Sequence, residues 1–229
     1  PQARSTLVQA RLCVDSLRSQ GPAPFELTIG TRYELGMSWV LPAVTALEKV
    51  RPEQQLHLWF SQGPTMMEAL LRGQIDAVIG SMRLVSRKLQ TMPLHEERYV
   101  FVGHPELLAE SPIESLEDVA VHSLVDINPG LPLFRYFQDM APVESSWRFG
   151  CHSYMGSIAA IRRRVLEGLG VAVLPEYFVE PDLKSGALLR ILPHLQCRTD
   201  WFRLVWLDGH TRSDDLMAMG QFLRNRTLQ

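Results

Sequence analysis

Three cysteines, Cys13, Cys151 and Cys197, and seven histidines are the residues of this chain best suited to act as nucleophiles, bases or metal ligands. Their spacing argues against each role. The cysteines are odd in number and widely separated, with no CxxC, so neither a disulfide framework nor a structural zinc site is expected. No HxxxH or HExxH links the histidines, and no metal is expected. Cys151 and His152 are adjacent, so on a strand their side chains diverge and cannot pair as nucleophile and base. No GxSxG elbow and no Gly-rich phosphate loop occurs. Catalysis is not expected, and no cofactor is implied.

What remains is a set of polar residues suited to holding a small anion. Thr31, Arg32 and Tyr33 form one cluster, Ser61 and Gln62 a second, Ser81 and Arg83 a third. Asn128 and the run His152, Ser153, Tyr154 complete the set. An arginine presents paired donors that match a carboxylate, and small hydroxyls add single hydrogen bonds. Each residue also has a plainer reading. Arg32 could pair with Glu34, Thr65 could cap a helix with Glu68, Asn128-Pro129-Gly130 reads as a turn, and Ser61 and Ser153 suit a cap as well as a ligand donor. Arg162-Arg163-Arg164 reads as a solvated helix face, and Trp147 and Phe149 as core aromatics.

The elements that must position these residues can be read from periodicity. Leu27-Thr28-Ile29-Gly30 alternates as a strand, and a helix over 37–50 places Met37, Val40, Leu41, Val44, Leu47 and Val50 on one face. Strands come next at 56–60 and 75–80, with a helix from Thr65 to Arg72 between them, ended by Gly73. This is a βαβαβ unit with its loops gathered at one sheet edge. A strand at 99–103 opens a second series: helix 115–119, strand 123–127, helix 133–140, strand 147–149, helix 156–167, strand 171–174, a short helix at 176–179 and a strand at 188–191. A strand at 202–207 and a helix at 214–224 close the chain. In open parallel sheets ligands lie beyond the carboxyl ends of the strands, and the polar clusters above fall at such ends. Helix starts there offer free N–H groups and a positive dipole end.

The first 20 residues differ from the rest. Ala3, Leu7, Ala10, Val14 and Leu17 alternate spacings of four and three, a heptad seam suited to a dimerising helix, and Gly21-Pro22 stops it.

The run Leu70-Leu71-Arg72-Gly73-Gln74-Ile75-Asp76-Ala77-Val78-Ile79, with Leu41-Pro42, Pro52, Leu56-His57-Leu58 and Gly63 before it, resembles the first half of the effector-binding domain of LysR-type transcriptional regulators. Gly168-Leu169-Gly170-Val171-Ala172-Val173-Leu174-Pro175 followed by Leu183-Lys184-Ser185-Gly186-Ala187-Leu188 is similar to the second half. The resemblance covers nearly the whole chain and implies an α/β fold of the periplasmic-binding-protein type 2. Two Rossmann-like subdomains, 24–98 plus 202–229 and 104–197, are then joined by crossovers near 98–103 and 198–202, with residues 1–20 as the end of a linker helix. It further implies a small-molecule effector in the cleft, with carboxylate character suggested by the arginines, and a homodimer or homotetramer. The family's winged helix-turn-helix is not among these residues, so promoter DNA is expected to be bound only by the intact protein. The alternative with the same fold is a solute receptor of an importer, which oligomeric state would distinguish.

Composition agrees. The chain has 229 residues, 46% hydrophobic and 21% charged, which suits a folded protein and excludes disorder. With 23 basic and 25 acidic residues the net charge is -2, unlike a nucleic-acid surface. No apolar run is long enough to span a membrane, and a cytoplasmic location is expected.

Overall fold

A computed structural model of the chain describes residues 23–82, 86–140 and 147–228. The heptad segment and Arg83 lie outside the described residues.

Strand β1 (Phe25–Thr31) is the centre of the first unit. It pairs in parallel with β2 (Gln54–Phe60) and β3 (Ala77–Gly80). Having a neighbour on each side, its far end is buried on both faces, and Ile29, Gly30 and Thr31 show no alternation. Strands β4 (Leu89–Glu97) and β10 (Asp200–Leu207) complete the sheet, in the order β2-β1-β3-β10-β4 with β10 antiparallel to both neighbours. Helix α1 runs through Tyr33–Leu35, a π-type turn at Gly36–Val40, and Leu41–Glu48. Helix α2 (Gly63–Leu71) and the closing helix α7 (Ser213–Arg224) cover the rest of the sheet.

The π turn divides the apolar row expected on one face of 37–50. Val40, Val44 and Leu47 are buried, whereas Met37, Leu41 and Val50 are exposed. An extra residue in one turn rotates the later turns about the helix axis, so these side chains do not keep one 3.6-residue stripe. Gly36 is required there, because a Cβ would run into the Phe60 ring and the Thr31 methyl. The Thr65–Glu68 capping box is not formed: α2 starts earlier, with Gln62 at its N-cap and Pro64 in its first turn. A proline needs no N–H in that turn, so it fixes the start.

The second unit repeats the plan. Strand β5 (Tyr99–Gly103) pairs antiparallel with β8 (Ala172–Pro175) and β9 (Leu189–Arg190). Strand β6 (Ser123–Asp126) pairs in parallel with β7 (Cys151–Tyr154). Val171 links the two pairs: its N–H donates to the Ser123 carbonyl at 2.9 Å and its carbonyl accepts from Val125 N–H at 2.9 Å. Through that bridge the strands lie in the order β7-β6-β8-β5-β9, matching the first sheet. Helices α3 (Pro105–Glu110), α4 (Phe134–Gln138), α5 (Ile158–Leu166) and α6 (Glu176–Ser185) flank it.

Several sequence expectations shift here. The 147–149 strand is absent; Trp147 and Phe149 instead pack edge-on against Phe134, at 5.8 and 5.1 Å, in the second core. The strand lies two residues on, so His152, Ser153 and Tyr154 belong to β7 rather than to a loop after it. The helix at 115–119 is a 3₁₀ turn, Glu117–Val121, with Asp118 accepting from the N–H groups of Glu114 and Ser115 at 3.0 and 2.7 Å. Arg162 is not free surface: it grips Asp182 of α6 through two bonds of 2.6 Å. Strand β4 was not expected from the sequence, because its solvent-side residues Gln90, Thr91 and Pro93 mask the alternation.

Candidate functional site

The parallel strands of each unit end at the same seam. Gly80 at the end of β3 pairs with Arg203, and three residues back along β10 Asp200 pairs with Glu97, the last residue of β4. Across the seam, Tyr99 opens β5 opposite Pro175, the last residue of β8. The Glu176 N–H donates to the Arg98 carbonyl at 2.8 Å and the Arg198 N–H to the Tyr136 carbonyl at 2.6 Å. The two crossings, at Arg98 and at 198–199, therefore run side by side between the sheet edges.

Charge is concentrated there. Directly opposed residues of an antiparallel pair share a face, so Glu97 and Asp200 project together. Both are buried, at 0% and 4% exposure. Buried carboxylates need partners. Arg32, just past β1, reaches Glu97 Oε1 from Nη2 at 3.2 Å and Ser81 Oγ at 3.4 Å. Asp200 accepts from Arg203 Nη1 at 3.2 Å, from the Trp201 N–H at 2.8 Å and from the Tyr136 hydroxyl at 3.3 Å. Tyr136 stacks on Tyr99 with centroids 3.9 Å apart, and Arg198 lies 5.0 Å from the Tyr136 ring. Tyr177, at the start of α6, packs edge-on against Phe202 of the first unit at 5.7 Å.

Ionisation reflects this crowding. Burial works most strongly against the Arg32 charge, but its neighbours, Glu97 first and then Tyr99 and Tyr177, together outweigh it and hold the guanidinium above its ordinary value. Burial raises the Tyr99 and Tyr177 hydroxyls, with Glu97 adding to both. All three stay in their usual neutral-pH forms. Glu97 Oε2, Tyr177 Oη and Thr31 Oγ1 are buried and make no hydrogen bond among the described residues.

Of the expected residues, the structure brings Thr31, Arg32, Ser61 and Ser81 to one edge, with the Ser61 N–H on the Thr31 carbonyl at 3.2 Å. Gln62 is there as the α2 N-cap. Tyr33 is exposed and leans on Phe60 at 5.4 Å. Arg32 does not pair with Glu34; its partner is Glu97. In the second unit Asn128 Oδ1 accepts from the Gly130 N–H at 2.9 Å, a turn of the expected kind. Ser153 lies within hydrogen-bond reach of Ser123, at 3.5 Å inside β7. His152 stacks beside Tyr154 at 6.4 Å, with Cys151 exposed next to it. Asp126 is structural: its carboxylate accepts from the N–H groups of Ile127, Leu133 and Phe134 at 2.6, 3.3 and 2.9 Å. Glu97, Tyr99, Tyr136, Tyr177 and Asp200 were not expected. The signal available was the pair of crossovers itself, since a polar residue in a buried connection demands a partner.

A separate cavity of about 430 Å³ lies beside the crossovers, lined by Glu96, Arg98, Phe101, Glu176, Arg190 and Cys197 among others. Its arginines are engaged, Arg98 with Glu96 at 2.8 Å and Arg190 with Glu176 at 2.5 Å. Burial pushes the Cys197 thiol up to about 12, so it is not a nucleophile at neutral pH. Among the described residues no group of three or more His, Cys, Asp or Glu could hold a metal ion.

The family model of the LysR substrate binding domain matches residues 20–227. The chain belongs to this family. As a LysR substrate-binding domain it is 27% identical over 171 residues to a Glycine cleavage system transcriptional activator homolog of Haemophilus influenzae, covering 73% of this chain and 54% of that protein. It is 28% identical over 211 residues to the HTH-type transcriptional activator TtdR of Escherichia coli, covering 86% and 63%. The chain thus spans little more than half of the length of these relatives. Among solved structures, the regulatory domain of CrgA from Neisseria meningitidis superposes with a TM-score of 0.75 at 20% identity, over 88% of this chain and 98% of that one. The reduced regulatory domain of OxyR2 from Vibrio vulnificus does so with a TM-score of 0.75 at 15% identity, over 90% and 97%. At these identities the likeness is one of fold, the periplasmic-binding-protein type 2 arrangement of two α/β units. The family's members are regulators rather than enzymes.

Proposed function

We propose that this chain is the effector-sensing part of a cytoplasmic transcriptional regulator, in which a small molecule bound between the two units alters promoter binding by the intact protein. The observation that carries the reading is the seam: two sheets with facing carboxyl edges, joined by crossings that run side by side, with charged and hydroxyl groups of both units at that edge. The two units would rotate about the crossings at Arg98 and at 198–199, narrower than the 98–103 and 198–202 expected because Tyr99–Gly103 and Asp200–Leu207 are paired strands, and only a few backbone dihedrals there need change. Thr31, Arg32, Tyr33, Ser61, Gln62, Ser81 and Arg83 would face the effector from the first unit, and Asn128, His152, Ser153 and Tyr154 from the second. Closure would change the spacing of helices in a homodimer or homotetramer and so reposition DNA-binding heads. A ligand drives this only through its differential affinity for open and closed states, typically about 1–3 kcal/mol of coupling.

The test is a thermal-shift screen over a metabolite library, because a ligand of the folded state raises apparent stability by mass action. Calorimetry with the strongest hit then compares Ser61→Ala, which should weaken binding by about 1 kcal/mol or more with the melting temperature of the free protein retained. Unchanged affinity would move the pocket elsewhere.

A further inference from the structure

The floor of the cleft offers more than a site for an anion. Arg32 carries five donors, and its two contacts among the described residues, Glu97 Oε1 and Ser81 Oγ, both use Nη2. Nε and Nη1 keep N–H groups with no partner among the described residues, on a side chain that is 28% exposed, and each can donate singly to a carboxylate. Glu97 is the complement. It is fully buried, one oxygen meets Arg32, and Oε2 accepts nothing among the described residues. Beside it stands a second buried carboxylate, Asp200, its Cα partner in the ladder. Tyr177, carried by the other unit, packs its ring on Phe202, two residues along β10 from Asp200, and its buried hydroxyl has no partner among the described residues.

A simple carboxylate fits this floor poorly. The charge of Arg32 is already offset by Glu97, and a second anion would sit against two buried carboxylates. An amine without a carboxylate would satisfy Glu97 but leave those Arg32 donors unused and place cation beside cation. A molecule with both groups on one carbon satisfies both, because the recognising side chains are themselves in contact, at 3.2 Å. Resting on the reading of the seam as the effector cleft, we infer that the ligand is a zwitterion of the α-amino acid class, its carboxylate on the unused N–H groups of Arg32 and its ammonium on Glu97 Oε2. Opening of the hinge lifts Tyr177 from the floor and gives access; closure returns the hydroxyl to the bound ligand. The orphaned oxygens supply the differential affinity, since leaving a buried acceptor unpaired is costly and pairing it recovers that cost.

The experiment is calorimetric titration of the protein with each proteinogenic L-amino acid and with the matched acid lacking the α-amino group: alanine against propionate, leucine against 4-methylpentanoate, glutamate against glutarate. At least one amino acid should bind, and more tightly than its partner acid by about tenfold or more. Glu97→Gln should abolish that preference, and Tyr177→Phe should weaken the amino acid while melting as the parent does. The comparison of matched pairs on the unmodified protein needs no variant to fold. Equal or tighter binding of the des-amino acids, or no amino acid binding at millimolar concentration, overturns the inference. If acids then bind and Ser61→Ala weakens them, the cleft reading stands while this one falls. An amino acid whose affinity survives Ser61→Ala and Glu97→Gln alike overturns both.

Discussion

At the scale of single residues, buried charge divides into positions that build the fold and positions that face the seam. Asp126 belongs to the first kind. Its three backbone N–H donors favour the carboxylate, but burial outweighs them and raises its pKa above the ordinary 3.8. The folded state therefore holds a proton more tightly than the unfolded one. Between 3.8 and the folded value, its contribution to stability is greatest at the acid end and falls as pH rises. Asp126→Asn should remove that slope, read as the difference between parent and variant urea midpoints across this window. A difference that stays flat with pH would mean that burial is offset in full by the three donors. Glu97 belongs to the second kind, since one of its oxygens is spent on Arg32 and the other on nothing among the described residues.

At the scale of elements, the turn Gly168-Leu169-Gly170 joins α5 to β8 and sets the bridge between the two strand pairs of the second sheet. Gly168 has φ +72° with only His104 atoms near 4 Å, whereas Gly170 has φ +143° and a Cβ there would sit 2.6 Å from the Ser123 carbonyl oxygen. That oxygen is the acceptor of the Val171 bridge. Gly170→Ala should cost about 2–3 kcal/mol or more, by backbone strain and by displacing the bridge, against about 1 kcal/mol for Gly168→Ala. Chemical denaturation of the two variants checks this, and equal losses would show that the close approach is relieved by a shift of β6.

At the scale of the whole molecule, the faces left open by folding bear on assembly. The sequence marks the apolar side chains of the helices at 37–50 and 214–224 (Leu216, Met219, Phe222, Leu223) as contact surfaces, but on α7 Leu216, Met219 and Leu223 are buried at 0–1% exposure in the first core and Phe222 is partly buried against it. On α1 the outcome is different: Met37 and Leu41 stay 44% and 38% exposed. Adjacent apolar groups on an exposed helix suit a subunit contact. Leu41→Glu should shift an oligomer toward monomer in light scattering while leaving the melting temperature nearly unchanged. A parent protein that is already monomeric at micromolar concentration would remove α1 from the interface.

The two α/β series, the order of most strands, the family and the absence of catalytic motifs were all legible in the amino-acid order, because periodicity, glycine turns and motif spacing are local properties of the chain. Arg32, Ser61 and Ser81 were legible for the same reason, as polar residues at strand ends. The remainder needed the folded arrangement. The pairing of Glu97 with Asp200 joins residues 103 apart in sequence, the Arg32–Glu97 contact spans 65 residues, and Tyr177 reaches Phe202 from the other unit. Which acid meets which base depends on sheet register and on how two units abut, and register is fixed by burial of whole faces rather than by any local signal.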